Sequence, residues 1–266
     1  MIPSIIDQQI REGVRDYVRT TYPVTTKLFS NLVEGLLTDE DRMFKGPYIG
    51  LDLPFRKGSV GADVIPDFPM AFPPYIHQEK AFTRLRADSC KSTIVATGTG
   101  SGKTECFLYP ILEYCLRRRQ EKEPGIKAII IYPMNALAQD QARRIAQTIW
   151  NNEHAKGKIT AGLYVGGEQK SPHQVMGDNH IITDRETIRL RPPDILLTNY
   201  KMLDYMLSRP HDRDVWSQNA AGTVRYLVVD ELHTFDGAQG TDLACLIRRL
   251  KYRLGVTTGN VCCVGT

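Results

Sequence analysis

No Cys-x-x-Cys pair occurs among the six cysteines, Cys90, Cys106, Cys115, Cys245, Cys262 and Cys263, so the spacing that marks a structural zinc site is missing. No apolar run approaches the ~20 residues that span a bilayer. The first residues lack a basic stretch followed by an apolar one, so no secretory leader is read and no membrane partner is expected. There is no internal repeat and no low-complexity tract. Charge of one sign is not in large excess: the 266 residues carry a net charge of +4, which permits a polyanionic partner without demanding one. The basic excess lies after residue 70. With no leader and no paired spacing, the cysteines read as reduced, mostly buried thiols of a cytoplasmic protein.

What the chain does have, from Ser92 onward, is alternation. Short β-branched and apolar stretches at residues 92–95, 126–132, 159–165, 194–198, 224–229 and 261–264 read as strands. Helical patterns separate several of them, among them residues 135–150, the stretch through Met202, Leu203, Met206 and Leu207, and residues 241–254 with Gly255 as a stop. Such alternation predicts an α/β fold with a parallel sheet covered on both faces. Residues 166–193 are polar and read as an irregular surface excursion. Ahead of the sheet, residues 4–19 predict an amphipathic helix, with Ser4 and Asp7 as a capping box and Ile6, Ile10, Val14, Tyr17 and Val18 on a core-facing or docking side. Residues 40–74 are rich in Gly and Pro, which predicts an extended lead-in anchored by Phe44, Tyr48, Phe55, Phe68 and Phe72. The expected division is an accessory region over 1–70 and a main domain over 71–266.

The first strand runs into Ala96-Thr97-Gly98-Thr99-Gly100-Ser101-Gly102-Lys103-Thr104, after which a helix begins. Strand, glycine-rich turn and Lys-Thr opening a helix form the context of a phosphate-binding loop. Glycines let backbone N–H groups converge on phosphate oxygens, and the helix N-terminus adds positive field. Lys103 is expected to reach the β- and γ-phosphates and the Thr104 hydroxyl to hold Mg²⁺. Thr97 stands where the strict pattern has glycine. An ordinary glycine-rich turn is the competing reading, and the strand and helix around the loop weigh against it.

Leu227-Val228-Val229 ends in Asp230-Glu231-Leu232-His233. An acidic pair at the C-terminal end of a parallel strand sits where such folds bind ligand. Asp230 can hold Mg²⁺, and Glu231 can orient and deprotonate an attacking water. Before the loop, the Gln78 amide can both donate and accept toward an adenine edge, and Tyr75 can stack on the base. Three further junctions, at Pro133, Asn135 and Gln139, at Gly166 and Gly167, and at Thr198 and Asn199, can grip successive phosphates of one strand. Each alone reads as a plain helix cap or turn.

Taken together these stretches resemble superfamily 2 helicases and translocases. Residues 96–104 resemble motif I, residues 132–141 motif Ia, Val165-Gly166-Gly167 motif Ib, and Thr198-Asn199 the Thr-Asn element after it. Asp230 to His233 resemble a DExH motif II, Val264-Gly265-Thr266 the start of motif III, and Tyr75-Ile76-His77-Gln78 the adenine motif. The wording is similar to YprA-like DNA-repair helicases and to phage-defence helicases of DISARM and Druantia type. The stretch Asp230-Glu231-Leu232-His233-Thr234-Phe235-Asp236-Gly237-Ala238-Gln239-Gly240 carries most of that likeness.

The resemblance implies a RecA-like P-loop NTPase domain with ATP and Mg²⁺ as cofactors. Tyr75, Gln78 and residues 97–104 would bind nucleotide, Lys103 and Glu231 would be catalytic, and Thr104 and Asp230 would hold the metal. His233 would couple the nucleotide to a second RecA-like domain, which is expected in cis or in trans. The implied partners are single-stranded or partly duplex DNA, with RNA left open, and repair or phage-defence subunits. One implied activity is ATP hydrolysis that drives movement on DNA. The other is a module that binds ATP and single strands without efficient turnover, because the second lobe is not in the sequence. A kinase-type enzyme accounts for the loop but not for the Asn135 and Thr198-Asn199 junctions.

Overall fold

The computed structural model describes residues 3–39, 43–46, 54–58, 65, 68, 70, 73–98, 100–167, 171–256 and 260–266. Six strands, β1 (Thr93–Ile94), β2 (Ala128–Tyr132), β3 (Ala161–Tyr164), β4 (Ile195–Asn199), β5 (Tyr226–Val229) and β6 (Cys262–Gly265), form one sheet in the order β1-β6-β5-β2-β4-β3. Every pairing is parallel. Crossovers through helices are what parallel neighbours require, and they put apolar cover on both faces.

Alternation along each strand splits the core in two. On one face Ala128, Ile130, Tyr132, Tyr226, Val228, Ile195 and Leu197 pack with α3 (Ile76–Leu85), α4 (Lys103–Gln120) and α5 (Asn135–Trp150). On the other, Ile129, Ile131, Leu227, Val229 and Leu196 pack with α7 (Tyr200–Ser208) and α8 (Gly237–Arg253). Cys262 and Cys263 fall on opposite faces of β6, as adjacent strand residues must. All six cysteines are free, with Cys106, Cys115 and Cys262 buried and Cys245 exposed. Burial, with the nearby Glu105 charge second, pushes the Cys106 thiol up to about 12, so it stays protonated.

One ionic cluster ties the N-terminal edge of the sheet. Asp194, fully buried, accepts from Arg119 Nε at 2.7 Å, Lys127 Nζ at 3.1 Å and the backbone N–H of Thr160 at 2.8 Å. Lys127 is also fully buried and donates to the Glu123 and Gly125 carbonyls, each at 2.7 Å. With both ions satisfied the pair is tolerated; removing one partner of such a pair costs about 3–5 kcal/mol.

The chain divides into two units, Met1–Pro54 and Phe55–Thr266. Ile65, Phe68 and Met70, in the expected accessory region, are buried in the core of the second unit. The first unit contains α1 (Pro3–Thr21) and α2 (Ser30–Thr38). Helix α1 opens on Pro3, one residue ahead of the expected cap, and Asp7 pairs with Arg11 at 2.8 Å. Arg15 donates to the Leu37 carbonyl at 3.0 Å, and Arg11 and Arg15 lie over the Phe44 ring. The stripe expected to face a core or a docking partner is largely exposed: Ile10 is 58%, Val14 38% and Tyr17 62% accessible. Tyr48 and Phe72 lie outside the described residues.

Residues 166–193 depart from the expected surface excursion. They include a short helix, α6 (Arg185–Leu190), capped by Asp184, which accepts from the Thr187 N–H at 2.9 Å. Ile181, Ile182 and Ile188 are buried, and Ile182 bridges to Gly162 in parallel. Among the described residues no helix is long and apolar enough to cross a membrane.

Candidate nucleotide site and nucleic-acid surface

β1 leads into the glycine-rich loop, and Gly102 forms the N-cap of α4. Gly100 and Gly102 adopt φ of 74° and 77°, the left-handed region where a side chain is strained. At Gly102 space matters too, since a Cβ would come within 2.4 Å of Gln78 Nε2. The loop is braced from α3. Gln78, 2% exposed, donates through Nε2 to the Gly102 carbonyl at 3.1 Å and accepts the Tyr75 N–H at Oε1, 2.9 Å away. His77 Nε2 lies 2.8 Å from the Ser101 carbonyl. Inside the loop the Thr97 and Ser101 hydroxyls bond at 2.6 Å. Thr97 thus supplies an internal brace where the strict pattern has glycine. Gln78 is not the solvated helix position that its sequence context allowed; its amide holds the phosphate loop. Gly98 is exposed, and Thr99 lies outside the described residues.

Lys103 and Thr104 open α4, both half-buried. The Lys103 ammonium takes no partner among the described residues. Phe55, Tyr75 and His77 cluster beside the loop: Tyr75 and His77 stack at 5.7 Å with a 15° tilt, and Phe55 lies 5.5 Å from Tyr75. Phe55, expected only as an anchor of the lead-in, thus joins Tyr75 and His77 of the adenine motif beside the loop.

Asp230 ends β5, two strands from β1, at the same C-terminal edge of the sheet. It is buried, and its Oδ1 accepts the Glu231 N–H at 3.1 Å and the Thr266 hydroxyl. Thr266 also takes the Leu232 N–H on its carbonyl at 2.8 Å. The end of β6 thereby pins the acidic turn. Gly265 permits the approach, since a Cβ there would meet Leu232 Cδ2 at 2.6 Å. Glu231 sits at φ 51°, ψ 47°, a left-handed conformation that costs a non-glycine residue about 1–3 kcal/mol and collects at functional sites. Its carboxylate is 40% exposed and lies 3.3 Å from His233 Nδ1.

Two buried oxygens near this edge have no hydrogen-bond partner, Tyr132 Oη and Glu105 Oε2. Burial first, then the Asp230 charge, holds the Tyr132 phenol well above its ordinary value. Hard oxygen donors from Thr104 and Asp230, with unpaired oxygens nearby, suit a hard divalent cation such as Mg²⁺. By contrast, a cavity of about 510 Å³ lined by Arg119, Trp150, Ile159, Met176 and Pro192 lies toward the other end of the sheet and holds none of this chemistry.

The three junctions share that C-terminal edge. Asn199 donates from Nδ2 to Asn135 Oδ1 at 2.7 Å, joining the first junction to the third at the end of β4, and caps α7 by accepting the Met202 N–H at 2.7 Å. Gln139 is exposed and Pro133 half-buried. Gly166 and Gly167 are exposed, their turn held by Arg185, which donates to the Val165 and Gly167 carbonyls at 2.7 and 2.9 Å. Thr198 departs from expectation: it is fully buried and its hydroxyl donates inward to the Tyr164 carbonyl at 2.7 Å. It positions the junction and offers no side chain to a ligand. Arg185 was missed because it lies 18 residues from the turn it braces.

With this geometry in hand, the family model described as DEAD/DEAH box helicase matches residues 75–264. The chain belongs to the DEAD/DEAH box helicase family. It is 25% identical, over 97% of its length, to the Druantia protein DruE of Escherichia coli (strain UMEA 4076-1), and covers 20% of that protein. It is 30% identical, over 66% of its length, to the uncharacterised ATP-dependent helicase YprA of Bacillus subtilis (strain 168), again covering 20% of the relative. Among solved structures, the DUF1998 helicase MrfA bound to DNA and AMPPNP matches 74% of this chain and 24% of MrfA, with 26% identity and a TM-score of 0.54. The sequence thus spans about a fifth to a quarter of these relatives. It is a RecA-like helicase ATP-binding domain.

Proposed function

We propose that this domain binds Mg·ATP at the phosphate loop, contacts single-stranded DNA across the Asn135–Asn199 edge, and works as one lobe of a DNA-dependent ATPase. What carries the reading is a single sheet edge with a braced loop at one strand, a pinned Asp-Glu pair two strands away, and polar junctions beyond. Phosphoryl transfer asks mainly for position and charge stabilisation. Lys103 and the loop N–H groups neutralise the β- and γ-phosphates, while Phe55, Tyr75 and His77 offer aromatic faces to the base. Thr104 and Asp230 would hold Mg²⁺, which when bound neutralises charge on the phosphate oxygens. Glu231 orients a water and takes its proton as the water oxygen bonds to the γ-phosphorus and the bond to the β-phosphate oxygen breaks. His233, beside Glu231 and 74% exposed, would couple that carboxylate to a second lobe. The resemblance of the Asp230–Gly240 stretch to phage-defence and DNA-repair helicases, with the likeness to the Druantia protein DruE, supports a role in phage defence or DNA repair within a cytoplasmic protein.

Binding to a labelled single strand is expected to weaken steeply with added salt and to ignore sequence, because junctions of this kind contact phosphates. Titration at two salt concentrations checks this. A clear sequence preference, or affinity that ignores salt, contradicts it.

A further inference from the structure

Residues 171–183 lie against α5 and line an open cavity of about 380 Å³. Gln139 and Arg143 of α5 line one side, and His173, Asn179, His180 and Thr183 the other. This volume lies at the small end of the roughly 300–1,000 Å³ typical of ligand pockets. The two imidazoles lie against each other, with ring centroids 4.0 Å apart and a 30° tilt. Backbone hydrogen bonds hold the chain at both. The Gly177 N–H donates to the His180 carbonyl at 2.9 Å, and a Cβ at Gly177 would come within 2.3 Å of the His180 ring, so glycine is what admits the ring. The His173 carbonyl accepts from the N–H groups of Thr183 and Asp184 at 2.8 and 3.0 Å. Arg143 is exposed and makes no ion pair among the described residues.

A fixed aromatic pair, an open guanidinium and amide groups around a polar cavity are the parts that recognise a nucleotide. Imidazole faces stack on any base, Arg binds phosphate through paired donors, and Asn and Gln reach base edges. Gln139 belongs both to the cavity and to the proposed nucleic-acid edge, so the two are continuous. We propose that this cavity takes one nucleotide of the bound single strand, its base against the His173–His180 pair and its phosphate at Arg143. The proposal rests on the nucleic-acid reading above. It gives the lobe a further hold on the strand, adjoining the first junction at Gln139.

The test uses the 266-residue chain and an oligothymidylate carrying one 2-aminopurine, moved one position at a time. One position should be quenched by stacking. His173→Ala should abolish that quench and weaken binding about five- to a hundredfold, the range for losing one base stack. His173→Phe should keep both. Arg143→Ala should weaken binding and make the salt slope shallower by roughly 0.7, the share of one phosphate on a single strand. If the parent chain binds in a salt-dependent way while His173→Ala and Arg143→Ala match it in quench, affinity and slope, the cavity proposal is wrong and the edge reading stands. Failure of the parent to bind any single strand overturns both.

Discussion

Lys103→Ala is expected to lower Mg·ATP affinity at least a hundredfold while leaving the fold intact. Two observations set the size and the selectivity. The ammonium has no partner among the described residues, so its removal breaks no internal hydrogen bond or ion pair. Its expected partners are charged phosphate oxygens, and hydrogen bonds to charged groups are worth about 1.5–3 kcal/mol each. Two of them amount to more than a hundredfold, at 1.4 kcal/mol per factor of ten. The loop itself is held by Gln78, His77 and the Thr97–Ser101 pair, none of which touches the Lys103 side chain. Calorimetric titration with Mg·ATP, beside a thermal melt without nucleotide, separates binding from folding. A folded Lys103→Ala protein with parental ATP affinity would remove the phosphate-loop assignment.

The second large effect is expected at Glu231, in a protein that includes a second RecA-like lobe. Glu231→Gln preserves shape and removes the base, so ATP should bind normally and persist unhydrolysed, with turnover reduced by about 10²–10⁴, the contribution of a positioned general base. The left-handed backbone at Glu231 gives this prediction its structural footing. Asp230, Thr266 and Leu232 over-determine the turn, and the strain they hold is concentrated at the residue expected to act on water. Parental turnover in Glu231→Gln would direct attention to another carboxylate, Asp236 among them.

Much of this was legible because it is local. The phosphate loop is written in nine consecutive residues between a strand and a helix, and the sheet follows from short apolar runs at regular spacing. Helix α5 falls at its expected bounds, 135–150, since its apolar positions recur at helical period. What escaped was non-local. The bond from Gln78 to Gly102 spans 24 residues, and Thr266 meets Asp230 across 36. Neither leaves a pattern in one stretch. Thr198 looked available because a threonine before a helix reads as a cap. It is the strand period that turns its hydroxyl inward to Tyr164. Residues 166–193 read as polar surface because Ile181 and Ile182 are only two apolar neighbours in a polar string. Each serves a different face, Ile181 packing with one core cluster and Ile182 with the other. Gly and Pro mark where helix stops, whereas burial of Ile65, Phe68 and Met70 shows where packing of the second unit extends, which no local pattern displays.

A motor needs two lobes that close on nucleotide and reopen, and the chain described here supplies one. ATP turnover by residues 1–266, measured with and without single-stranded DNA, and again with a second RecA-like lobe supplied in cis or as a separate chain, tests that claim most directly. The account predicts turnover near background with little stimulation by DNA for the single lobe. With the second lobe it predicts DNA-dependent turnover raised by on the order of 10³-fold, the scale of arginine-finger contributions in related phosphoryl transfers. Efficient, DNA-stimulated hydrolysis and unwinding by residues 1–266 alone, as a demonstrated monomer, would contradict it.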